Sequence, residues 1–206
     1  MNCWYDLDID VSGMFRDDFV LPQLSSPQLP ALGMEILTYT NLNEVLTNSF
    51  LGKMEQVGLP LEVGILFHRD PYKPTIAHKD YHHTGNLCTF GLNIIIGNRH
   101  QSEMVWYAER DDNKEEGKPT WVVTSRVPAD ALLKSKPIDQ LIEIDRCVID
   151  NNKLTVINTG VFHEIVNVTK PRWCFSFRIA RDSMTLPWEQ VVTNLKPILK
   201  PRPTRT

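Results

Sequence analysis

Two histidines and one aspartate are the side chains of this sequence best suited to bind a metal ion together. His78 and Asp80 lie on either side of Lys79, in an extended segment that follows Pro74. Residues i and i+2 of a strand point to the same face, so the imidazole and the carboxylate converge. His163, between a turn and a late strand, can add a third ligand. Two imidazoles and one carboxylate on one face of a metal leave its opposite face open, which suits Fe(II).

A second chemical feature is the segment from 172 to 178, whose sequence is RWCFSFR. Its aromatic residues alternate with Arg, Cys, Ser and Arg, which predicts a strand with one face in the core and the other lining a pocket. A guanidinium on the polar face could bind one carboxylate of a dicarboxylic acid through two parallel hydrogen bonds.

Arg172 and Arg178 both belong to this polar face, and alternation cannot choose between them. Six residues of strand separate them by roughly 20 Å, so we expect only one to hold the acid. We favour Arg172, because the Lys170-Pro171 turn lets its strand double back beside that of His163. For Arg178 we expect a salt bridge to an acid such as Glu164.

Alternation also assigns faces to two earlier segments. Between positions 87 and 93 the smaller and more polar residues share one face, which we expect to line the pocket. Asn93 belongs to this face and contacts either the ligand, a bound water or a neighbouring backbone group. Trp106 and Tyr107 are consecutive, so one faces the core and the other the pocket or solvent. We expect Trp106 to pack in the core.

Other motifs give no competing chemistry. The sequence HEIVN at 163 to 167 begins like a zinc protease helix but lacks its second His. Phosphate-binding glycine loops and hydrolase nucleophile elbows are missing from the sequence. His82 and His83 are expected in a loop at the mouth of the pocket, although a straight strand would direct His82 toward the metal.

Four segments together carry a resemblance to a known family: HKD at 78 to 80, LNIII at 92 to 96, MVWY at 104 to 107 and HEIVNVTKPR at 163 to 172. From about Glu62 to Ile179 the sequence resembles the Fe(II)/2-oxoglutarate-dependent dioxygenases, in particular the branch similar to the aspartyl/asparaginyl β-hydroxylases. In that family an Asn follows the distal His by four residues and an Arg by about ten. Here Asn167 follows His163 by four and Arg172 by nine.

The resemblance implies a function and a set of cofactors. Fe(II) would be held by His78, Asp80 and His163, and 2-oxoglutarate and O2 would bind beside it, with Arg172 and Asn93 on the co-substrate. Oxidative decarboxylation would release succinate and CO2 while an amino acid, a peptide or another small molecule is hydroxylated. The alternative is a binding module of the same shape that recognises a small acid or peptide without redox chemistry. An isomerase or hydrolase using another metal would usually need more histidines.

The elements that must position these residues are mostly strands. The family's fold is the double-stranded β-helix, a cupin-like jelly roll, and the sequence independently predicts a mainly β domain with a few helices. We expect one domain over 1 to 206, with an irregular arm over about 1 to 30, a helix at about 41 to 56, a short helix at 128 to 136 and a loose basic tail from about 196 to 206. Strands are predicted at 62 to 68, 87 to 96, 103 to 109, 120 to 127, 141 to 149, 153 to 158, 161 to 167 and 172 to 179.

Composition and charge argue against a nucleic-acid-binding, membrane-spanning or secreted protein. The 206 residues carry a net charge of −3, which offers no field for gripping nucleic acid. No apolar run approaches the roughly 18 residues of a membrane span. The acidic N-terminus is unlike a secretory signal, and the four cysteines show no paired spacing. We therefore expect a soluble, cytoplasmic protein with reduced thiols and no nucleic-acid or membrane partner.

Overall fold

The structure is a computed structural model. It describes residues 1–23, 34–81, 86–97, 102–110, 120–121, 132–179 and 185–202. The expected loop positions of His82 and His83, most of the strand expected at 120 to 127, and the last four residues lie outside these ranges.

Twelve strands and two α-helices make up the described chain. In chain order the strands are β1 (Trp4–Asp6), β2 (Met34–Tyr39), β3 (Leu61–Arg69), β4 (His78–Tyr81), β5 (Phe90–Ile96), β6 (Glu103–Glu109), β7 (Thr120–Trp121), β8 (Leu132–Ser135), β9 (Leu141–Val148), β10 (Thr155–Asn158), β11 (Phe162–Val166) and β12 (Arg172–Ile179). The helices are α1 (Asn48–Gln56) and α2 (Trp188–Leu195), and short 3-10 turns lie at Leu42–Glu44, Ile138–Gln140 and Lys196–Ile198. Among these described elements, no helix has both the length and the apolar character needed to cross a membrane.

The strands form two six-stranded antiparallel sheets. Sheet A has the order β1-β10-β5-β12-β3-β2, and sheet B has the order β7-β8-β4-β11-β6-β9. From β3 to β6, and again from β9 to β12, successive strands alternate between the two sheets. The expectation of a mainly β domain is therefore confirmed. The alternation also brings β4 and β11, which lie far apart in sequence, side by side.

The outer face of sheet A carries the larger core. Phe175 and Phe177 of β12 are fully buried there and share one cluster with Phe50 and Met54 of α1. The residues at even positions of β12 lie on the opposite face of the strand, as the alternation of its sequence predicts. The helix expected over 41 to 56 is shorter than predicted. It begins after Thr47, whose side chain accepts a hydrogen bond from the Phe50 amide at 3.3 Å.

Several expected elements are wrong. The helix expected over 128 to 136 contains strand β8 from Leu132 to Ser135, because pairing with β4 overrides local helix propensity. The N-terminal arm is not irregular throughout, since β1 pairs with β10 at the edge of sheet A. Helix α2 was not predicted, although Trp188, Val191 and Leu195 recur at helical spacing and are buried.

The segment 196–202 is packed rather than loose. Leu199 bridges to Leu7, and the Lys200 amide donates to the Asp6 carbonyl at 2.9 Å. The Arg202 guanidinium lies over the Trp4 ring and donates to both carboxylate oxygens of Asp145, at 3.1 and 3.2 Å. Asp145 is only 2% exposed. A buried acid therefore anchors the C-terminal segment, which charge counting along the sequence does not reveal.

Replacing Arg202 with Gln should lower the free energy of unfolding by about 2 kcal/mol at pH 7, because a buried carboxylate loses its charged donor. Burial by itself would raise the pKa of Asp145, but hydrogen bonds from Arg202 and from the amides of Cys3 and Arg146 outweigh it and lower that pKa. Because the pKa of Asp145 is lower in the folded protein than in the unfolded chain, its ionised carboxylate stabilises the fold at any pH above the unfolded-state pKa. This stabilisation is lost as the pH falls through the pKa of the folded state.

The difference between wild type and Arg202→Gln should therefore shrink in acid. Urea unfolding at pH 7, and at the lowest pH where wild type stays folded, measures it. Lys196→Gln is the matched control, since it removes an exposed charge from the same segment. Equal stability of Arg202→Gln and wild type at pH 7 would restore the loose-tail interpretation.

Candidate metal centre

The pairing of β4 with β11 brings the three predicted ligands together. His163 on β11 lies directly opposite His78 on β4 in the antiparallel register. Asp80 is two residues further along β4 and points to the same face. On β11, His163 and Ile165 face the space between the sheets, whereas Phe162 and Glu164 face the outside of sheet B.

The distances between ligand atoms fit one ion. Asp80 Oδ1 lies 3.6 Å from His78 Nε2 and 3.9 Å from His163 Nε2. One ligand atom from each of the three side chains lies within 4.8 Å of the others. Ligands of a first-row metal lie about 2.0–2.2 Å from the ion, so neighbouring ligands are about 3–3.6 Å apart. A small inward rotation of the side chains would therefore complete the site.

Both imidazoles are held in the orientation that metal binding requires. His78 Nδ1 lies 2.8 Å from the Ile76 carbonyl, and His163 Nδ1 lies 3.0 Å from the Val161 carbonyl. A carbonyl only accepts, so each Nδ1 must carry the proton and donate it. In the neutral form of such a ring the Nε2 lone pair faces the metal position, an arrangement typical of metal-binding histidines.

Burial keeps His163 in this neutral form. The side chain is almost inaccessible, and burial, assisted by the neighbouring His78, lowers the pKa of His163 to about 4 despite the opposing effect of Asp80. At pH 7 the imidazole is therefore uncharged and competent as a ligand.

The second oxygen of Asp80 is held by an arginine. Arg178 Nη2 donates to Asp80 Oδ2 at 2.9 Å, and its Nη1 donates to Ser176 Oγ at 2.7 Å. The prediction that Arg178 pairs with Glu164 is wrong, because the Glu164 carboxylate faces outward and accepts hydrogen bonds from Thr75 and Tyr107. Asp80 thus directs Oδ1 toward the two imidazoles and Oδ2 toward Arg178.

A glycine makes this contact possible. The Arg178 side chain lies across Gly91 of β5, where a Cβ atom would be 2.5 Å from Arg178 Nη1. Any larger residue at this position would push the guanidinium away from Asp80.

The three ligands open into a cavity of about 110 Å³ between the sheets. Its apolar wall is formed by Ile36, Ile65, Phe67, Met104, Ile157 and Ile165. Both Arg172 and Arg178 line it, so their separation along β12 does not place one of them outside. Asn93 lines it too and is 7% exposed, and its Oδ1 atom has no hydrogen-bond partner within the described ranges.

Arg172 differs from Arg178 in having no acidic partner in the part of the chain that the structure describes. It is 4% exposed, and its Nε atom has no hydrogen-bond partner among the described residues. Burial lowers the pKa of its guanidinium, which contacts the thiol of Cys174. None of the ion pairs among the described residues includes Arg172. A buried cation facing a cavity is a site for an anion.

Other residues named from the sequence lie away from the cavity. Trp106 is fully buried in the core, as expected, and donates to the Asn158 carbonyl. Tyr107 is buried on the outer side of sheet B and donates to Glu164 at 2.6 Å, so it faces neither pocket nor solvent. Asn167 occupies a turn with φ of 57° and donates to Glu103, so this part of the family pattern does not reach the site.

A charged residue of the cavity was not predicted from the sequence. Arg69, at the end of β3, lines the cavity and is 8% exposed. The signal was present in the sequence, because Ile65, Phe67 and Arg69 alternate on one face of the strand. A charged residue at the end of an apolar alternation normally indicates that the strand reaches solvent there. In this protein, however, Arg69 is buried.

Comparisons with known proteins add no assignment. No protein-family model matches the chain, and no curated protein shows significant similarity to it.

Replacing His78, Asp80 or His163 with Ala should each lower the affinity for Fe(II) or Co(II) on the order of 100-fold or more, since ligand loss costs at least as much as loss of a supporting contact. Anaerobic titration followed by equilibrium dialysis measures this, with circular dichroism to check the fold. Asp70→Ala, a carboxylate outside the cavity, is the control. Full metal binding by Asp80→Ala would show that the three residues do not form the site.

Gly91→Ala should lower the free energy of unfolding by about 1–3 kcal/mol, the usual cost of overpacking, and should weaken metal binding by displacing Arg178 from Asp80. Gly52→Ala is the matched control, because a Cβ atom on Gly52 of α1 meets nothing within 4 Å. That control should raise stability slightly. Unchanged metal affinity in Gly91→Ala would mean that Arg178 does not position Asp80.

Proposed function

We propose that the protein is an Fe(II)- and 2-oxoglutarate-dependent oxygenase. The observation that carries the proposal is that two imidazoles, one carboxylate and a buried arginine face the same small cavity, and that this arginine has no acidic partner among the described residues. Bound Fe(II) would supply the redox chemistry that couples decarboxylation of 2-oxoglutarate to hydroxylation of a substrate.

The donor set of the centre favours this metal. Two neutral imidazoles and one carboxylate on one side of an ion are the ligands of non-haem iron oxygenases, whereas structural zinc sites are closed by four protein ligands. In the described part of the chain, His78, Asp80 and His163 are the only such cluster of potential ligands. Positions for further ligands on the cavity side would remain free.

Arg172 is the residue assigned to the distant carboxylate of 2-oxoglutarate. Arg178 already donates to Asp80 and Ser176, so its guanidinium is committed to the metal ligand. Arg172 lies on the same strand and lines the same cavity without an acidic partner among the described residues. Asn93, with an unpaired Oδ1, is the second polar group available to the co-substrate or a bound water.

The remaining cavity surface serves the chemistry by excluding water. Six apolar side chains from both sheets form its wall. Ionic contacts are stronger where water is excluded, and a reactive centre is protected from side reactions. The chain's contribution is therefore to orient two imidazoles through backbone carbonyls, to fix one carboxylate through Arg178, and to offer a cation to a dianionic co-substrate.

The proposed fold is a double-stranded β-helix. The alternation of successive strands between two antiparallel sheets supports it, as does the position of the ligands between those sheets. We also propose that the protein acts in the cytoplasm on a small molecule or peptide. Its four cysteines are buried free thiols, in keeping with a reducing compartment.

Arg172→Lys should raise the apparent Michaelis constant for 2-oxoglutarate by about 10-fold or more with iron still bound, because Lys keeps the charge but loses the two-pronged geometry. Iron-dependent succinate release from 2-oxoglutarate measures this. Arg16→Lys, which is exposed and pairs with Asp18, is the control.

If Arg178→Lys raises that constant with iron retained and Arg172→Lys does not, the assignment of the two arginines is inverted. If the wild-type protein binds iron and 2-oxoglutarate yet releases no succinate, the alternative of a non-catalytic binding module is supported.

A further inference from the structure

Two buried arginines lie side by side in the cavity. Arg69 of β3 and Arg172 of β12 are direct partners in the antiparallel register of sheet A. Both line the cavity, and they are only 8% and 4% exposed. Residues directly opposite each other on neighbouring strands have Cβ atoms about 4.5–5.5 Å apart, so their guanidiniums can approach one ligand together.

No ion pair among the described residues includes either arginine of this pair. Neither arginine takes part in an ion pair in those parts of the chain, and both Nε atoms are buried without a hydrogen-bond partner. The acid whose charge acts on Arg69 is Glu164, and the two carboxylate oxygens of Glu164 accept hydrogen bonds from Thr75 and Tyr107. Burial, with the neighbouring Arg172, lowers the pKa of Arg69 to about 10.

Two like charges buried together are costly to a fold. Removing an ion from water without a counter-charge costs several kcal/mol even after relaxation. A structural role alone would need only the single hydrogen bond that Arg69 Nη2 donates to the Pro74 carbonyl at 2.6 Å. The two Nε donors, buried without a hydrogen-bond partner among the described residues, therefore favour an anionic ligand that neutralises both charges.

We propose that Arg69 and Arg172 form an arginine clamp that holds a single carboxylate group of a dicarboxylic acid from both sides. The identity of this acid as 2-oxoglutarate rests on the function proposed above, but the clamp itself requires no metal. A carboxylate suits it because its two oxygens can each accept from a different guanidinium. Arg172 begins β12, whereas Arg178, which holds Asp80, lies near the end of that strand. The second carboxylate would therefore face the candidate metal ligands across the cavity.

The clamp is tested with metal-free, full-length protein and two probes, 2-oxoglutarate and glutarate. Binding is measured by calorimetry and by the rise in melting temperature that each probe causes. Arg69→Gln and Arg172→Gln should each weaken the binding of both probes about 10-fold or more, a change of about 1.4 kcal/mol or more. The loss in the double variant should be smaller than the product of the two single losses, because both side chains hold one group. Arg16→Gln should bind both probes like wild type.

A purely structural role for Arg69 gives a different pattern. If this residue only fastens Pro74, Arg69→Gln lowers the melting temperature but leaves the affinity for both probes unchanged, which overturns the clamp. If Arg69→Gln fails to fold, Arg69→Lys is used instead, because Lys keeps a donor for the Pro74 carbonyl. The clamp requires that Arg69→Lys still weakens the binding of both probes. If inorganic phosphate binds as tightly as glutarate with the same dependence on both arginines, the assignment to a carboxylate is wrong.

The clamp and the proposed function can fail separately. Arg69-dependent binding of glutarate without iron-dependent succinate release would keep the clamp and remove the oxygenase. Succinate release by wild type, with unchanged affinity for 2-oxoglutarate in Arg69→Gln, would keep the oxygenase and remove the clamp.

Discussion

The carboxylate of Asp80 is the point on which the candidate site depends, because its two oxygens serve different partners. Oδ1 faces the imidazoles of His78 and His163, and Oδ2 accepts from Arg178. This division needs a sheet that pairs β4 with β11, a second sheet that delivers Arg178 from the opposite side, and a glycine on β5 that leaves room for the guanidinium. A carboxylate fixed in this way presents a single oxygen to a metal, in an orientation set before the metal arrives.

The charge of the cavity follows from the same arrangement. Arg178 pairs with Asp80, so the two imidazoles lie beside a carboxylate whose charge is already balanced. Arg69 and Arg172 then leave the cavity with an excess of positive charge, which a divalent metal increases. In surroundings largely closed to water this excess is costly. Under the proposed function, a dianion such as 2-oxoglutarate would reduce this excess charge, so the co-substrate and the metal would stabilise each other's binding.

Period-two alternation was the most informative signal in the sequence. It predicts the two faces of β12, the shared face of His78 and Asp80, and the inward position of Asn93, because each depends only on local strand geometry. Pairings between distant segments were not predictable. The partner of Arg178 is set by how the two sheets face each other, and the anchoring of Arg202 by Asp145 joins the C-terminal segment to β9. The helix expected at 128 to 136 failed for the same reason, since the pairing of β8 with β4 decides its conformation. Arg69 escaped notice because charge at the end of a strand normally indicates exposure.

The most direct test of the central account is an anaerobic titration of metal-free protein with Fe(II) followed by 2-oxoglutarate, monitored by visible absorption. If His78, Asp80 and His163 hold one iron beside a site for this acid, a weak charge-transfer band should grow to an end point of one Fe(II) per chain. The band should be lost in Asp80→Ala and retained in Asp70→Ala. A wild-type protein that gives no band with both components present, or a band that survives in Asp80→Ala, would contradict the account.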